Sequence, residues 1–167
     1  VVGTYWFLMM IGRLCGASIG AKVSSRAMLT VVSTVGIVLV LGAIFCADNI
    51  LVNMPVFKSD ISFGFAQVPI NVMLLILCGL CTSVMWGGIF NLAVEGLGKY
   101  TAAASGLFMV MVCGGGILPL IQGGVADFAG FLNSYWVIAL GLAYILFYAA
   151  IGSKNVNTDI PTDDYEA

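Results

Sequence analysis

The chain consists of apolar runs of about 20 residues, separated by short polar interruptions. Each run is long enough to cross roughly 30 Å of hydrocarbon as a helix. Barrel strands would instead alternate apolar and polar residues over about 10 positions, and these runs do not alternate. Composition agrees: 61% of residues are hydrophobic and 8% are charged. A soluble domain carries about a quarter charged residues. Water is therefore not the solvent for most of this surface. The expectation is an all-α membrane protein with five transmembrane helices.

Five spans are expected, at about residues 3–21, 27–47, 70–92, 105–125 and 135–152. Between the second and third lies a long connection with Pro55, Lys58 and Asp60. A tail over 153–167 holds Asp159, Asp163, Asp164 and Glu166 and reads as a flexible, solvated segment. If the spans alternate, Lys22, Arg26, Lys99 and Lys154 share one side and Lys58 takes the other. Basic residues in short loops mark the cytoplasmic side. The C-terminus is then cytoplasmic. Phe128, Phe131, Tyr135 and Trp136 cluster at an outer boundary, where amphipathic rings prefer to sit. The chain opens on Val-Val-Gly in mid-run, with no basic segment ahead of it, so the first run does not read as a signal peptide. It reads as an internal start within a longer protein.

Several function classes recede. There is no basic patch for nucleic acid, and no His to serve as general base or metal ligand. The Cys78-Gly-Leu-Cys81 spacing lies in an apolar run. Redox and zinc motifs need a polar, accessible setting, so these cysteines read as small apolar filler. No metal, cofactor or catalytic residue is expected. An intramembrane hydrolase would need a nucleophile with its base, or metal ligands, and no such set stands in the spans.

The first span carries Gly12, Gly16 and Gly20. A spacing of four places them on one helix face, where a neighbouring backbone can approach closely. Arg13 stands beside this stripe. It either snorkels to the headgroups or contacts carbonyls or an acid on another helix. In the third span, Trp86 stands next to Gly87 and Gly88, either as interior packing or as a flat face for a sugar ring. Asn91 and Gln122 are amides in the later spans. Each can bond a hydroxylated solute or a neighbouring helix. Gly114, Gly115, Gly116 and Pro119 interrupt the fourth span. Interrupted helices often line transporter pathways, although a packing kink would leave the same trace. No Asp or Glu lies deep in any span, as a proton-coupled carrier would require.

Certain stretches point further: Tyr5-Trp6; Met10-Ile-Gly-Arg-Leu-Cys-Gly16; Met85-Trp-Gly-Gly-Ile-Phe90; Glu95-Gly-Leu-Gly98 with Thr101; Ser105-Gly; and Met111-Val-Cys-Gly-Gly-Gly-Ile-Leu-Pro119, followed by Gly123 and Asp127. Together they resemble the C-terminal half of the fucose/glucose/galactose:proton symporters of the major facilitator superfamily. The resemblance covers nearly the whole chain. It implies a twelve-helix fold of two pseudo-symmetric halves, monomeric and in the bacterial inner membrane, with the five spans as helices eight to twelve. Helices one to seven, which carry the family's coupling acids, would precede this segment. Trp86 matches an aromatic residue that lines the family's cavity, but Gly87 stands where relatives often have Pro.

The resulting expectation is part of a symporter that takes up a neutral hexose or deoxyhexose with a proton by alternating access. Trp86, Phe90 and Met85, with Met109 and Met111, would form an apolar wall, and Asn91 or Gln122 would supply polar contacts. Arg13 and the Glu95 loop would close the cytoplasmic side. Gly12, Gly16, Gly115, Pro119 and Asp127 complete the gating and structural set. The alternatives are a facilitator for another small solute, and a non-transporting scaffold or enzyme subunit.

Overall fold

The computed structural model describes residues 2–46, 50–57 and 62–154. Lys58, Asp60 and the acidic tail from residue 155 lie outside the described residues. The elements run α1 Val2–Gly20, α2 Ser25–Phe45, β1 Leu51–Phe57, β2 Phe63–Pro69, α3 Ile70–Val94, α4 Thr101–Met111, α5 Gly114–Ala129 and α6 Tyr135–Phe147. A 3-10 turn at Gly98–Tyr100 leads into α4, and a π-helical turn at Tyr148–Gly152 extends α6. Among the described residues, five helical stretches are long and apolar enough to cross a membrane: Val2–Gly20, Ser25–Phe45, Ile70–Val94, Gly98–Ala129 and Tyr135–Gly152.

The elements start and stop where local chemistry requires. Ser24 caps α2, its hydroxyl accepting from the Ala27 N–H at 3.3 Å, which satisfies one of the orphan donors of the first turn. Between α3 and α4, Gly96 and Gly98 have φ of 75° and 48°. Residues with a Cβ rarely adopt that region, so the Glu95–Lys99 turn depends on its glycines.

Helix α3 is the hub. Its buried Cys78, Cys81, Met85 and Leu92 meet Leu29 and Val40 of α2, Ala139 and Leu142 of α6, and Ala149. On another side it receives α1. A Cβ built on Gly12 would strike the Ser83 hydroxyl and stand 3.1 Å from the Leu80 carbonyl oxygen. One built on Gly16 would strike the Val84 side chain. Gly79 reciprocates, since a Cβ there would stand 2.9 Å from the Tyr5 ring. The small-residue stripe thus seats α1 on α3 at Gly12 and Gly16. Gly20, at the end of the helix, has a contact no closer than 3.9 Å, to Met28. Many large apolar side chains point outward, among them Leu14, Val31, Val38, Leu107 and Leu140. That arrangement suits a hydrocarbon solvent.

The connection between the second and third spans has structure of its own. Strands β1 and β2 pair antiparallel, with Leu51 opposite Pro69 and Phe57 opposite Phe63. Met54 and Val68 turn inward and pack with Ile76 of α3, against Tyr5 and Leu8 of α1. The reading of this segment as a plain connection missed the alternation of outward Leu51 and Asn53 with inward Met54 and Val56. Pro55 argued against a strand, but a two-stranded ribbon has only edges, where the missing N–H is tolerated.

The fourth span departs from the expected bounds of 105–125, while its interruption was expected. It runs longer, over Gly98–Ala129, and is broken into α4 and α5. Neither piece has a buried residue.

The two ends of the bundle differ. Ser25, Arg26, Asn91 and Glu95 line one recess, so the α1–α2 and α3–α4 turns share an end. At the other end lie the hairpin and edge-on aromatic pairs: Phe7 with Phe63 at 5.3 Å, Phe45 with Trp136 at 5.8 Å, and Phe131 with Tyr135 at 5.4 Å between ring centres.

Two stability predictions follow from this packing. Gly16→Val overfills the α1–α3 seam and should cost about 1–3 kcal/mol. Gly141→Ala, where a Cβ meets nothing within 4 Å, should be neutral. Thermal unfolding in detergent compares the two. The Ser33 hydroxyl is fully buried between helices, with no hydrogen-bond partner among the described residues. A buried unsatisfied hydroxyl is costly, so Ser33→Ala should leave the melting temperature unchanged or raise it. A clear drop would reveal a partner for that hydroxyl.

Candidate functional site

One stripe of α3 faces away from the core. Thr82, Trp86 and Phe90 follow at intervals of four residues and so fall on one helical face. Their neighbours Cys81 and Met85 point the other way, into the contact with α2 and α6. The adjacent pair Met85 and Trp86 shows the division: Met85 is 5% exposed and Trp86 is 45% exposed. Met85 therefore packs the core rather than joining the wall expected of it. Met109 and Met111 are exposed on α4.

Trp86 and Phe90 converge on a side chain that the sequence reading did not single out. Phe108 of α4 lies edge-on to the Trp86 indole, with ring centres 5.2 Å apart and planes at 62°. It also lies edge-on to Phe90, at 5.4 Å and 77°. Each such contact contributes about 0.5–1.5 kcal/mol beyond area burial. Residues i and i+4 on one helix, met by a ring from the next span, were the available signal. Its partner span was not legible without the fold.

The same stripe has a polar end. The Tyr5 hydroxyl of α1 lies 3.2 Å from the Thr82 hydroxyl, and Thr82 also donates to the Gly79 carbonyl at 3.2 Å. Tyr5, Thr82 and Gln122 of α5 line one open groove of about 590 Å³ with Val72, Phe131 and Tyr135. Gln122 is thus brought to the Tyr5–Thr82 pair. Tyr5 and Thr82 were legible as polar residues, but not as partners, because 77 positions separate them.

Asn91 goes elsewhere. It lines a smaller recess with Arg13, Ser25, Ser83 and Gly87, and it also borders the Arg26–Glu95 recess. Asn91 and Gln122 therefore serve different recesses. Arg13 is exposed at the mouth of its own. Glu95 caps α3, its backbone N–H donating to the Asn91 carbonyl at 3.0 Å. Asp127 is exposed in the last turn of α5, at the other end of the bundle. A further amide, Asn71, is buried at the start of α3, and its side-chain oxygen accepts from the Val72 N–H at 2.8 Å.

The break in the fourth span is narrow and well defined. Val112 and Cys113 donate to the carbonyls of Met109 and Val110 at 3.2 and 3.3 Å. Gly115 and Gly116 donate to those of Val112 and Cys113 at 2.8 and 2.9 Å. These are three-residue steps, tighter than the α-helical four. Four residues beyond Gly115, Pro119 lacks the N–H that would bond the Gly115 carbonyl. Added Cβ atoms at Gly114, Gly115 and Gly116 would meet nothing within 4 Å. Contacts within the chain therefore do not explain the glycine triplet.

Chemically, the stripe offers a flat aromatic face next to hydroxyls and an amide, and Arg13 borders the neighbouring recess at Gly87. Among the described residues the acids are Glu95 and Asp127, both near span ends.

Comparison with known proteins places this arrangement. A glucose/galactose transporter of Brucella abortus (strain 9-941) is 44% identical over 77 residues, 46% of this chain and 19% of that protein. A putative glucose/galactose transporter of Helicobacter pylori (strain ATCC 700392 / 26695) is 32% identical over 155 residues, 90% of this chain and 33% of that protein. The L-fucose-proton symporter of Escherichia coli (strain K12) is 32% identical over 92 residues, 54% of this chain and 21% of that protein. The chain thus spans between a fifth and a third of the length of these relatives. No family model matches it, and no solved structure matches it. All three relatives are named as transporters or symporters and none as an enzyme. The chain, with five membrane-length helices, is thus similar over up to 90% of its length to glucose/galactose and fucose:proton transporters of the major facilitator superfamily.

Proposed function

We propose that this chain is the C-terminal part of a sugar:proton symporter, and that its five spans are helices eight to twelve of a twelve-helix carrier. The observation that carries the reading is the exposed indole of Trp86, held in an aromatic wall beside the Tyr5–Thr82–Gln122 groove. A pyranose presents C–H faces that stack on an aromatic ring and hydroxyls that need donors and acceptors around its rim. Trp86 and Phe90 suit the first. Gln122, Tyr5 and Thr82 suit the second, with Asn91 reaching the cavity from the other recess. Arg13 is the one charged side chain within the spans among the described residues, away from their ends, and this favours a neutral hexose or deoxyhexose. The names of the relatives, glucose/galactose transporter and L-fucose-proton symporter, support the same substrate class and the proton. The acid that carries the proton would come from the remaining helices of the full-length protein.

Transport would proceed by alternating access in the bacterial inner membrane, with the C-terminus cytoplasmic. Lys22, Arg26, Lys99 and Lys154 fit that orientation. Arg13, Asn91 and the Glu95 turn border recesses at the cytoplasmic end, where they would contribute to closure. The interruption at Gly115 and Pro119 would let the fourth span bend.

The test is sugar uptake by the full-length transporter. Trp86→Ala should reduce expression-corrected uptake by roughly two- to tenfold, since stacking of this kind is worth about 0.5–1.5 kcal/mol and about 1.36 kcal/mol is tenfold. Trp86→Phe should retain much of it. Gln122→Leu should raise KM more than it lowers kcat. Unchanged uptake in Trp86→Ala would remove the indole from the substrate path.

A further inference from the structure

We infer that Phe108 is a positioning residue that ties the bend of the fourth span to the orientation of Trp86. Three independent observations meet here. Phe108 is the ring against which both Trp86 and Phe90 rest, edge-on, at 5.2 and 5.4 Å. Phe108 lies four residues before Val112, where the helical hydrogen bonds tighten and the span breaks. Pro119, four residues beyond Gly115, lacks the N–H that would bond the Gly115 carbonyl.

The mechanics follow from these contacts. The ladder beyond Val112 is weakened twice, by the three-residue steps and by Pro119, which cannot bond the Gly115 carbonyl. Bending at Val112–Cys113 shifts α4 relative to α5. Phe108 moves with α4, whereas Trp86 and Phe90 are fixed to α3, whose opposite face is locked into the core through Cys81, Met85 and Leu92. The Phe108 ring therefore sets which indole rotamer is supported. One position of α4 holds the indole against Phe108, and another frees it. Phe108 itself need not touch the solute. Its effect on transport rests on Trp86 lining the sugar path, as proposed above; its effect on the indole does not.

The experiment uses the full-length transporter with Trp86 as its single tryptophan, Trp6, Trp136 and every tryptophan outside this segment being replaced by Phe. Emission and anisotropy of Trp86 are recorded in detergent without sugar, and uptake is then measured in proteoliposomes. Phe108→Ala should shift the emission to longer wavelength and lower the anisotropy, because the indole gains both water and freedom. Phe108→Tyr, which keeps the ring, should preserve both. If Phe108→Ala fails to fold, Phe108→Leu fills the space without an aromatic edge and should give the same trend. Emission and anisotropy unchanged in the folded Ala or Leu variant would overturn the positioning role. In uptake, Phe108→Ala should raise KM by roughly threefold or more, with rescue by Tyr. The mobility of the break has its own arm. Pro119→Ala restores the ladder donor and stiffens the bend, so it should slow transport and raise Trp86 anisotropy, and an unchanged rate with unchanged anisotropy would remove the bend from the mechanism. Should Trp86→Ala leave uptake intact while Phe108→Ala still frees the indole, the positioning role stands and the sugar reading falls.

Discussion

The close approach of α1 to α3 is the constraint on which the rest of the structure depends. In lipid there is little hydrophobic drive between helices, so association rests on packing and on interhelical hydrogen bonds. Gly12 and Gly16 remove the side chains that would hold α1 away from Leu80, Ser83 and Val84. That seating brings Tyr5 over Gly79 and puts its hydroxyl on Thr82. It also makes the floor on which Met54 and Val68 of the hairpin pack beside Ile76. A bulkier first helix would displace the polar end of the α3 stripe and the hairpin together.

Helix α3 then divides its labour by face. Cys78, Cys81, Met85 and Leu92 lock it to α2 and α6. Thr82, Trp86 and Phe90 remain outside that contact. A rigid helix with one free face suits a binding surface, because its side chains are positioned by packing behind them. The fourth span is the opposite case, with no buried residue and a break in its ladder. Phe108 joins the two, its ring edge-on to Trp86 at 5.2 Å between centres.

Much of this was legible in the sequence. The five spans follow from run length alone, and the glycine stripe announced a tight helix contact. The motif set from Met85 to Asp127 pointed to the family. What stayed hidden depended on facing or pairing. Met85 and Trp86 are adjacent, and periodicity could not say which of them turned inward, because the whole run is apolar. Asn91 and Gln122 looked equivalent, yet they sit on different helices, α3 and α5, and line different recesses. Phe108 resembled any lipid-facing aromatic until α4 was placed beside α3. The hairpin was masked by Pro55, whose cost disappears on an edge strand.

The most direct test of the central claim is uptake of a labelled hexose and deoxyhexose panel by the full-length transporter in proteoliposomes, with and without an inward proton gradient. The account predicts that one or two neutral sugars accumulate, and that the gradient increases their uptake. A well-folded protein that takes up none of the panel under either condition would contradict it.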